Sequence, residues 1–185
     1  MERSLLDNMK LAAMRALAAS VAQLPGSTAE VGVYRGGTTR LIASVLSPKR
    51  HWGFDTWAGI PSTTAIDGHR VGDFADVAFA DVSAWLADCP NVVLVRGVFP
   101  DSARHIEDEF CFVHLDADTY SKTLDSLCYF YPRMTPGGLI VFDDWEWPQC
   151  PGVKRAADVF FEHRPERPKP TINNQAVVRI GDSHD

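Results

Sequence analysis

The chain alternates between short apolar runs and longer amphipathic stretches. Leu and Met recur at helical spacing over residues 4–22, and Pro25 and Gly26 follow, which predicts an N-terminal helix within residues 1–24. Continuous apolar runs predict buried strands, at residues 28–34, 51–57, 91–97, 110–116 and 137–144. Helical patterns lie between and after these strands, at residues 35–47, 78–88, 120–131 and 151–163.

Strands that alternate with helices predict an α/β fold, in which helices cover both faces of a mostly parallel sheet. The tail predicts an antiparallel hairpin that turns at Asn173 and Asn174. A length of 185 residues fits a single domain over residues 1–185. Right-handed crossovers bring the C-terminal ends of parallel strands to one edge, where ligands bind in such sheets. The residues at the strand ends are therefore the candidates for function.

Residues 58–77 form a long polar connection between the second strand and the next helix. The segment contains Gly59, Gly68 and Gly72 and no clear periodicity. Long connections in compact domains are commonly mobile or functional. We refer to residues 58–77 as the lid candidate.

Composition and charge narrow the classes of function. A formal net charge of -6 provides no basic surface for a nucleic acid. The chain also lacks a basic amphipathic stripe, a signal-peptide pattern and a long apolar run, so we expect a cytoplasmic protein without a membrane partner. The four cysteines have no paired spacing, and we expect them to pack as small apolar side chains.

Two features at the first two strand ends are typical of a nucleoside-binding site. Gly32, Gly36 and Gly37 follow the first strand and permit tight turns and close approach of a ligand, although a strand-to-helix turn alone would also require glycine. Asp55 ends the second strand, where such sheets place an acid for the ribose hydroxyls. Capping of the next turn is the alternative role for Asp55.

Two further strands end in carboxylates. Asp116 and Asp118 follow the fourth strand, and Asp143 and Asp144 follow the fifth. If these strands are neighbours, Asp116 and Asp143 lie about 4.8 Å apart along the sheet. Carboxylates at that distance repel one another, and a hard divalent cation such as Mg²⁺ removes the conflict. The pattern therefore predicts a metal site formed by Asp116, Asp143 and Asp144.

Asp118 has two possible roles. It can cap the helix that follows, or it can act as a general base beside the metal. His69 in the lid candidate and His114 beside the fourth strand's end are competing candidates for the base. A histidine within a buried strand is more often structural.

At these residues the sequence resembles the macrocin O-methyltransferase family of metal-dependent, S-adenosylmethionine-using enzymes from natural-product biosynthesis. Matching segments occur in order from Glu30 to Phe161, which makes the resemblance specific. They are "EVGVYRGGTTR", "FDTWAGIP", "GDF", "NVVLVRGVFPDS", "HLDADTYSKTLDSL", "YPRMTPGGLIVFDDW" and "CPGVKRAADVFF".

The resemblance implies a Rossmann-like class I methyltransferase fold with seven strands and a reversed final strand. It implies Mg²⁺ ligands at Asp116, Asp143 and Asp144 and a catalytic base at Asp118. It also implies contacts to S-adenosylmethionine from Glu30, Gly32, Gly36 and Asp55, with Asp101 and Ser102 near the adenine.

We therefore expect methyl transfer from S-adenosylmethionine to a hydroxyl of a small molecule, such as a sugar or another vicinal diol. Only about 29 residues precede Glu30, whereas family members usually have a longer segment there that helps to cover the acceptor and build the oligomer. Self-association remains an expectation for this chain. Two alternatives stay open: a metal-dependent glycosyltransferase that uses a nucleotide sugar, because D-x-D also occurs there, and a non-catalytic relative that binds cofactor only.

Overall fold

The computed structural model describes residues 3–181, so residues 1, 2 and 182–185 of the predicted domain lie outside the described part. Seven strands form one sheet in the order β3-β2-β1-β4-β5-β7-β6. The strands are β1 (Ser27–Val31), β2 (His51–Asp55), β3 (Val92–Arg96), β4 (Phe110–Leu115), β5 (Met134–Phe142), β6 (Lys169–Pro170) and β7 (Ala176–Arg179). The helices are α1 (Asn8–Ser20), α2 (Gly37–Val45), α3 (Phe79–Trp85), α4 (Tyr120–Phe130) and α5 (Pro151–Phe161).

The first five strands are parallel to one another, and β7 is antiparallel to both of its neighbours, β5 and β6. β1 pairs with β2 and β4, and β4 pairs with β5. β7 pairs in the antiparallel direction with β5 and β6, and Asn173 and Asn174 in the connecting turn have φ angles of 48° and 60°. The predicted mostly parallel sheet and its C-terminal hairpin are confirmed.

Two apolar layers cover the sheet, as continuous apolar strands require. One layer joins the strands to α4 and α5 and contains Leu127 and Phe161. The other joins them to α1 and α2 and contains Met14 and Ile42. All six residues of β4 are buried, so this strand forms the centre of the core.

The predicted N-terminal helix is shorter than its pattern indicates. Asp7 caps α1, and its side chain accepts hydrogen bonds from the backbone N–H groups of Met9 and Lys10 at 2.8 and 2.9 Å. An aspartate at this position satisfies N–H groups that the helix leaves free. The cap thus starts α1 at Asn8, and residues 3–7 run across the edge of the sheet instead.

The lid candidate contains no helix or strand. Its two halves are nonetheless joined, because Ile60 N–H donates to the Asp73 carbonyl at 2.9 Å and Gly72 N–H donates to the Ile60 carbonyl at 3.0 Å. Gly68 N–H donates to the Gln149 carbonyl at 3.0 Å. The segment is therefore fixed to the loop after β5.

The cysteines agree only in part with the expectation that they pack as small apolar side chains. All four are free, and Cys111 and Cys150 are buried, whereas Cys89 is half-buried and Cys128 is exposed. Among residues 3–181, no helix has the length and apolar character needed to cross a membrane.

Candidate functional site

A cavity of about 940 Å³, including its open mouth, lies at the C-terminal edge of β1, β2 and β4. The strand order reverses between β1 and β4, and open α/β sheets bind ligands at such a switch point. Four of the predicted residues line this cavity: Gly32, Asp55, Asp116 and Asp118.

Gly32 allows the loop after β1 to pass close to the end of β4. Its φ is +90°, and a Cβ atom at this position would collide with the backbone carbonyl of Asp116. Only glycine combines this backbone conformation with such a close approach. Gly36 has φ +82° and precedes the first residue of α2, so its role is to turn the chain into the helix. Gly37, and not Gly36, lines the cavity.

Asp55 fixes two loops at the cavity wall. Its Oδ2 accepts the backbone N–H of Tyr34 and its Oδ1 accepts that of Trp57, both at 2.8 Å. Each carboxylate oxygen has a second lone pair, so Asp55 retains capacity for the hydroxyls of a ribose. The predicted turn-capping role and the predicted binding position occur together in this residue.

Three of the four strand-end carboxylates meet directly and the fourth, Asp143, lies beside them; we call Asp116, Asp118, Asp143 and Asp144 the carboxylate cluster. β4 and β5 are adjacent with Leu115 opposite Phe142, which places Asp116 beside Asp143. Oxygen atoms of Asp116, Asp118 and Asp144 all lie within 4.8 Å of one another. The prediction that the two strand ends are neighbours is confirmed.

The environment of the carboxylate cluster opposes its negative charge. Burial raises the pKa of Asp116 well above its usual value, and the charge of Asp143 raises it further. Burial, followed by the charge of Asp144, acts in the same direction on the pKa of Asp118. Asp116 and Asp118 keep part of their surface open to the cavity, so a ligand can reach them. A divalent cation would remove this repulsion, and oxygen donors suit Mg²⁺, Mn²⁺ or Ca²⁺.

Asp143 has a partner that the sequence pattern did not indicate. Lys10 of α1 donates from Nζ to Asp143 Oδ1 at 2.8 Å, and the two side chains are 13% and 5% exposed. Burial alone would lower the pKa of Lys10, but the charge and hydrogen bond of Asp143, together with the charges of Asp144 and Asp116, raise the pKa above its usual value. The carboxylate cluster thus contains a cation supplied by the chain itself.

Asp118 does not cap α4. Its φ of 57° lies in the left-handed region, and its Oδ1 accepts the Cys150 thiol at 3.8 Å. The first N–H of α4, from Tyr120, donates instead to Asp67 Oδ1 of the lid candidate at 2.8 Å. Few residues other than glycine adopt a left-handed backbone conformation, and those that do are concentrated at functional sites. The geometry therefore leaves Asp118 available to a ligand in the cavity.

The structure separates the two histidines that competed for the role of base. His114 is fully buried, and its Nδ1 lies 2.8 Å from Glu30 Oε1. His69 of the lid candidate has ligand atoms within 4.8 Å of Asp118 and Cys150. Of these two histidines, His69 is therefore the one that lies beside Asp118.

Besides Gly36, three residues that the resemblance assigned to the cofactor lie away from the cavity lining. Glu30 is 1% exposed, accepts a hydrogen bond from Thr39, and lies within hydrogen-bond distance of His114. Asp101 is exposed and pairs with Arg104 at 2.7 Å. Ser102 packs behind Gly97, which does line the cavity. Glu30 and Ser102 thus support the cavity wall, and Asp101 faces solvent.

The N-terminal segment contributes a wall that sequence reasoning missed. Residues 3–6 line the cavity, Gly37 N–H donates to the Arg3 carbonyl at 2.9 Å, and the hydroxyl groups of Ser4 and Thr38 lie 3.0 Å apart. No motif in this segment indicates binding, because its placement depends on contacts with α2.

Solved methyltransferase structures share this fold. The O-methyltransferase NovP superposes with a TM-score of 0.87 at 22% identity, over 98% of this chain and 84% of NovP. The calicheamicin methyltransferase CalS11 superposes with a TM-score of 0.79 at 27% identity, over 94% of this chain and 79% of CalS11. The predicted class I methyltransferase fold is confirmed.

Sequence comparison finds relatives that are also named O-methyltransferases. A tetracenomycin-C rhamnosyl 4'-O-methyltransferase from Streptomyces olivaceus is 28% identical over 78% of this chain and 61% of its own length. The mycinamicin III 3''-O-methyltransferase of Micromonospora griseorubida is 26% identical over 69% of this chain and 58% of its own length. This chain therefore spans about three fifths of these relatives.

The family model described as macrocin-O-methyltransferase matches residues 2–178. This match covers nearly the whole sequence, including the glycine turn and all four residues of the carboxylate cluster. The resemblance seen in the motifs is confirmed: the chain belongs to the macrocin-O-methyltransferase family.

Proposed function

We propose that this protein transfers a methyl group from S-adenosylmethionine to a hydroxyl of a small sugar-like acceptor. The observation that carries the proposal is the union, in one cavity, of the Gly32 turn, Asp55 and the left-handed Asp118. The family match and the names of the relatives, which include a rhamnosyl 4'-O-methyltransferase, support the reaction and the acceptor class. Nothing in these comparisons favours a glycosyltransferase.

The cofactor would lie along the ends of β1 and β2. Gly32 keeps its surroundings free of a side chain, and Asp55 accepts hydrogen bonds from the ribose hydroxyls. S-adenosylmethionine supplies an activated methyl group on a positively charged sulfur. Residues 3–6 form one wall of the cavity, and orientation of the two reactants provides much of the rate in such transfers.

The residues of the carboxylate cluster fit a hard divalent cation, because they are oxygen donors whose mutual repulsion is otherwise only partly compensated by Lys10. We assign Asp116, Asp143 and Asp144 as its ligands, as the family resemblance implies. A bound cation would lower the pKa of an acceptor hydroxyl. Asp118, which projects into the cavity beside these ligands, would accept the proton from that hydroxyl.

The test is a calorimetric titration with S-adenosylhomocysteine, followed by an assay of labelled methyl transfer to a panel of rhamnosides with free vicinal hydroxyls. We expect wild-type protein and Asp118→Asn to bind S-adenosylhomocysteine equally, and Asp118→Asn to lower turnover roughly 100-fold or more. Asp158→Asn, an exposed aspartate on α5, is the matched control and should retain full turnover.

Each possible failure has a distinct meaning. Absence of S-adenosylhomocysteine binding would refute the methyltransferase proposal. Binding without methylation of any sugar would refute the acceptor class and favour a non-catalytic relative. Normal turnover by Asp118→Asn would remove Asp118 from the role of base.

A further inference from the structure

Lys10 and Asp143 form a buried ion pair at the edge of the candidate metal site, where Asp143 lies beside Asp116. The distance from Nζ to Oδ1 is 2.8 Å, and neither side chain is more than 13% exposed. Among the residues that the structure describes, Lys10 is the one hydrogen-bond partner of the Asp143 side chain. The two residues are 133 positions apart in the chain, so this contact fixes α1 to the end of β5.

The Lys10 ammonium group lies where a positive ion would neutralise the Asp143 carboxylate. Asp143 is adjacent to Asp144 in sequence and to Asp116 across the sheet, and a buried carboxylate without compensation is strongly unfavourable. A lysine ammonium and a divalent cation satisfy the same requirement at a carboxylate. They also repel each other at short distance, so the two cations compete for Asp143.

We propose that Lys10 is the resident counter-ion of the carboxylate cluster, and that a divalent cation gains Asp143 as a ligand by displacing the Lys10 ammonium group. This inference rests on the metal-assisted form of the proposed function. It goes beyond that function because it makes occupancy of the metal site depend on the first turn of α1.

Displacement of Lys10 would loosen one end of α1. This end also keeps the Asp7 cap, the hydrogen bond from Asn173 Nδ2 to Asp7 Oδ2 at 2.9 Å, and the packing of Leu6 and Leu11 against the apolar layer under α1 and α2. Met14 and Ala18, further along the helix, are fully buried and keep the rest in place. The expected movement is therefore small and confined to the first turn of α1, next to the segment that lines the cofactor cavity.

The first experiment is calorimetric titration of metal-free protein with MgCl₂ alone. Lys10→Met removes the charge and keeps the length of the side chain, and Lys169→Met removes the same charge from an exposed position in β6. We expect Lys10→Met to bind Mg²⁺ roughly 10-fold or more tightly than wild type, and Lys169→Met to match wild type. Asp143→Asn should weaken binding.

Unchanged affinity in Lys10→Met would overturn the proposal. Weaker affinity would also overturn it, since Lys10 would then help to orient Asp143 for the ion. If neither wild type nor Lys10→Met binds Mg²⁺ at millimolar concentration, both the metal site and the displacement of Lys10 are refuted. In that case S-adenosylhomocysteine binding, measured on the same samples, would decide separately whether the methyltransferase proposal survives.

A second measurement needs no variant and applies even if Lys10→Met fails to fold. Amide hydrogen exchange reports local opening of helices. We expect Mg²⁺ to accelerate exchange at residues 10–13 of wild-type protein and to leave the second half of α1 unchanged. Slower or unaltered exchange in the first turn of α1 would contradict displacement of Lys10.

Discussion

His69 Nδ1 lies 3.3 Å from the Asp73 carboxylate, within the lid candidate itself. Asp73 also accepts the backbone N–H of Arg70 at 2.9 Å, and Phe74 packs against the imidazole with ring centroids 5.2 Å apart. A carboxylate at Nδ1 favours the tautomer that carries its hydrogen there and leaves Nε2 as an acceptor. The lid candidate thus presents an oriented imidazole beside Asp118.

We expect His69→Gln to lower the turnover of a sugar acceptor roughly 10- to 100-fold, because the imidazole positions the acceptor against Asp118. The affinity for S-adenosylhomocysteine should stay within about twofold of wild type, since His69 is not among the residues that line the cavity. Steady-state kinetics and calorimetry measure the two quantities. His105→Gln, at an exposed position, is the control, and equal turnover of the two variants would exclude this role for His69.

Two glycines with nearly the same φ angle allow the cost of backbone strain to be distinguished from the cost of a steric clash. Gly32 has φ +90° and faces the Asp116 carbonyl, whereas Gly72 has φ +92° and open space around it. We expect Gly72→Ala to lower the free energy of unfolding by about 1 kcal/mol from conformation alone. Gly32→Ala should lower it by roughly 2 kcal/mol more and should weaken S-adenosylhomocysteine binding. Urea unfolding of both variants is the measurement, and equal losses would show that the close approach at Gly32 carries no cost.

Asp55→Asn tests the cofactor side of the cavity. An amide offers one oxygen where the carboxylate offers two, so it cannot accept both backbone N–H groups that Asp55 holds. We expect S-adenosylhomocysteine to bind roughly 10-fold more weakly or worse, since a hydrogen bond to a charged group contributes about 1.5–3 kcal/mol. Asp101→Asn is the comparison, because the resemblance placed Asp101 near the adenine while the structure places it in solvent. An equal loss in Asp101→Asn would favour the resemblance over the observed position.

His51 should make the protein sensitive to acid. Burial, and then the charge of His114, lower the pKa of this histidine from 6.5 to about 3. Between pH 6.5 and pH 3 the unfolded chain binds a proton at His51 that the folded chain does not bind. The contribution of His51 to the free energy of unfolding is therefore complete above pH 6.5 and is lost as the pH falls toward 3. The full effect of one such group is on the order of 5 kcal/mol.

The measurement is urea unfolding between pH 7 and pH 4. Glutamine does not bind a proton in this range. His51→Gln should therefore reduce the slope of unfolding free energy against pH by up to the amount that corresponds to one bound proton. His163→Gln, at an exposed position, should keep the wild-type slope. A wild-type slope in His51→Gln would show that other groups govern acid unfolding.

The strand-end residues were predictable because they depend on local pattern and general topology. Continuous apolar runs located the strands, and the direction of parallel strands then placed Asp55, Asp116 and Asp143 at one edge. The pairing of β4 with β5 also followed from their short helical connection. These inferences require no knowledge of which side chains touch.

The remaining features depend on contacts between distant segments. Lys10 belongs to a helix whose docking position no local signal specifies, so its pairing with Asp143 was not foreseen. Glu30 was assigned to the cofactor by resemblance, but it shares a sheet face with His114, which lies opposite it across the strand pair. Glu30 also lies one residue before the end of β1, and the cavity begins at the strand end with Val31 and Gly32. Its position inside the strand was therefore the available signal that Glu30 would support the cavity wall without lining it.

The position of β1 between β2 and β4 has a consequence for synthesis of the protein on the ribosome. β1 and the glycine turn emerge early, but the strand that completes one side of β1, and the Asp116 backbone against which Gly32 packs, are translated much later. Asp143, the partner of Lys10, is translated later than Asp116. A nascent chain therefore holds the first half of the site without its second wall, and cofactor binding can assist folding of the site only after residues up to Asp143 have left the exit tunnel.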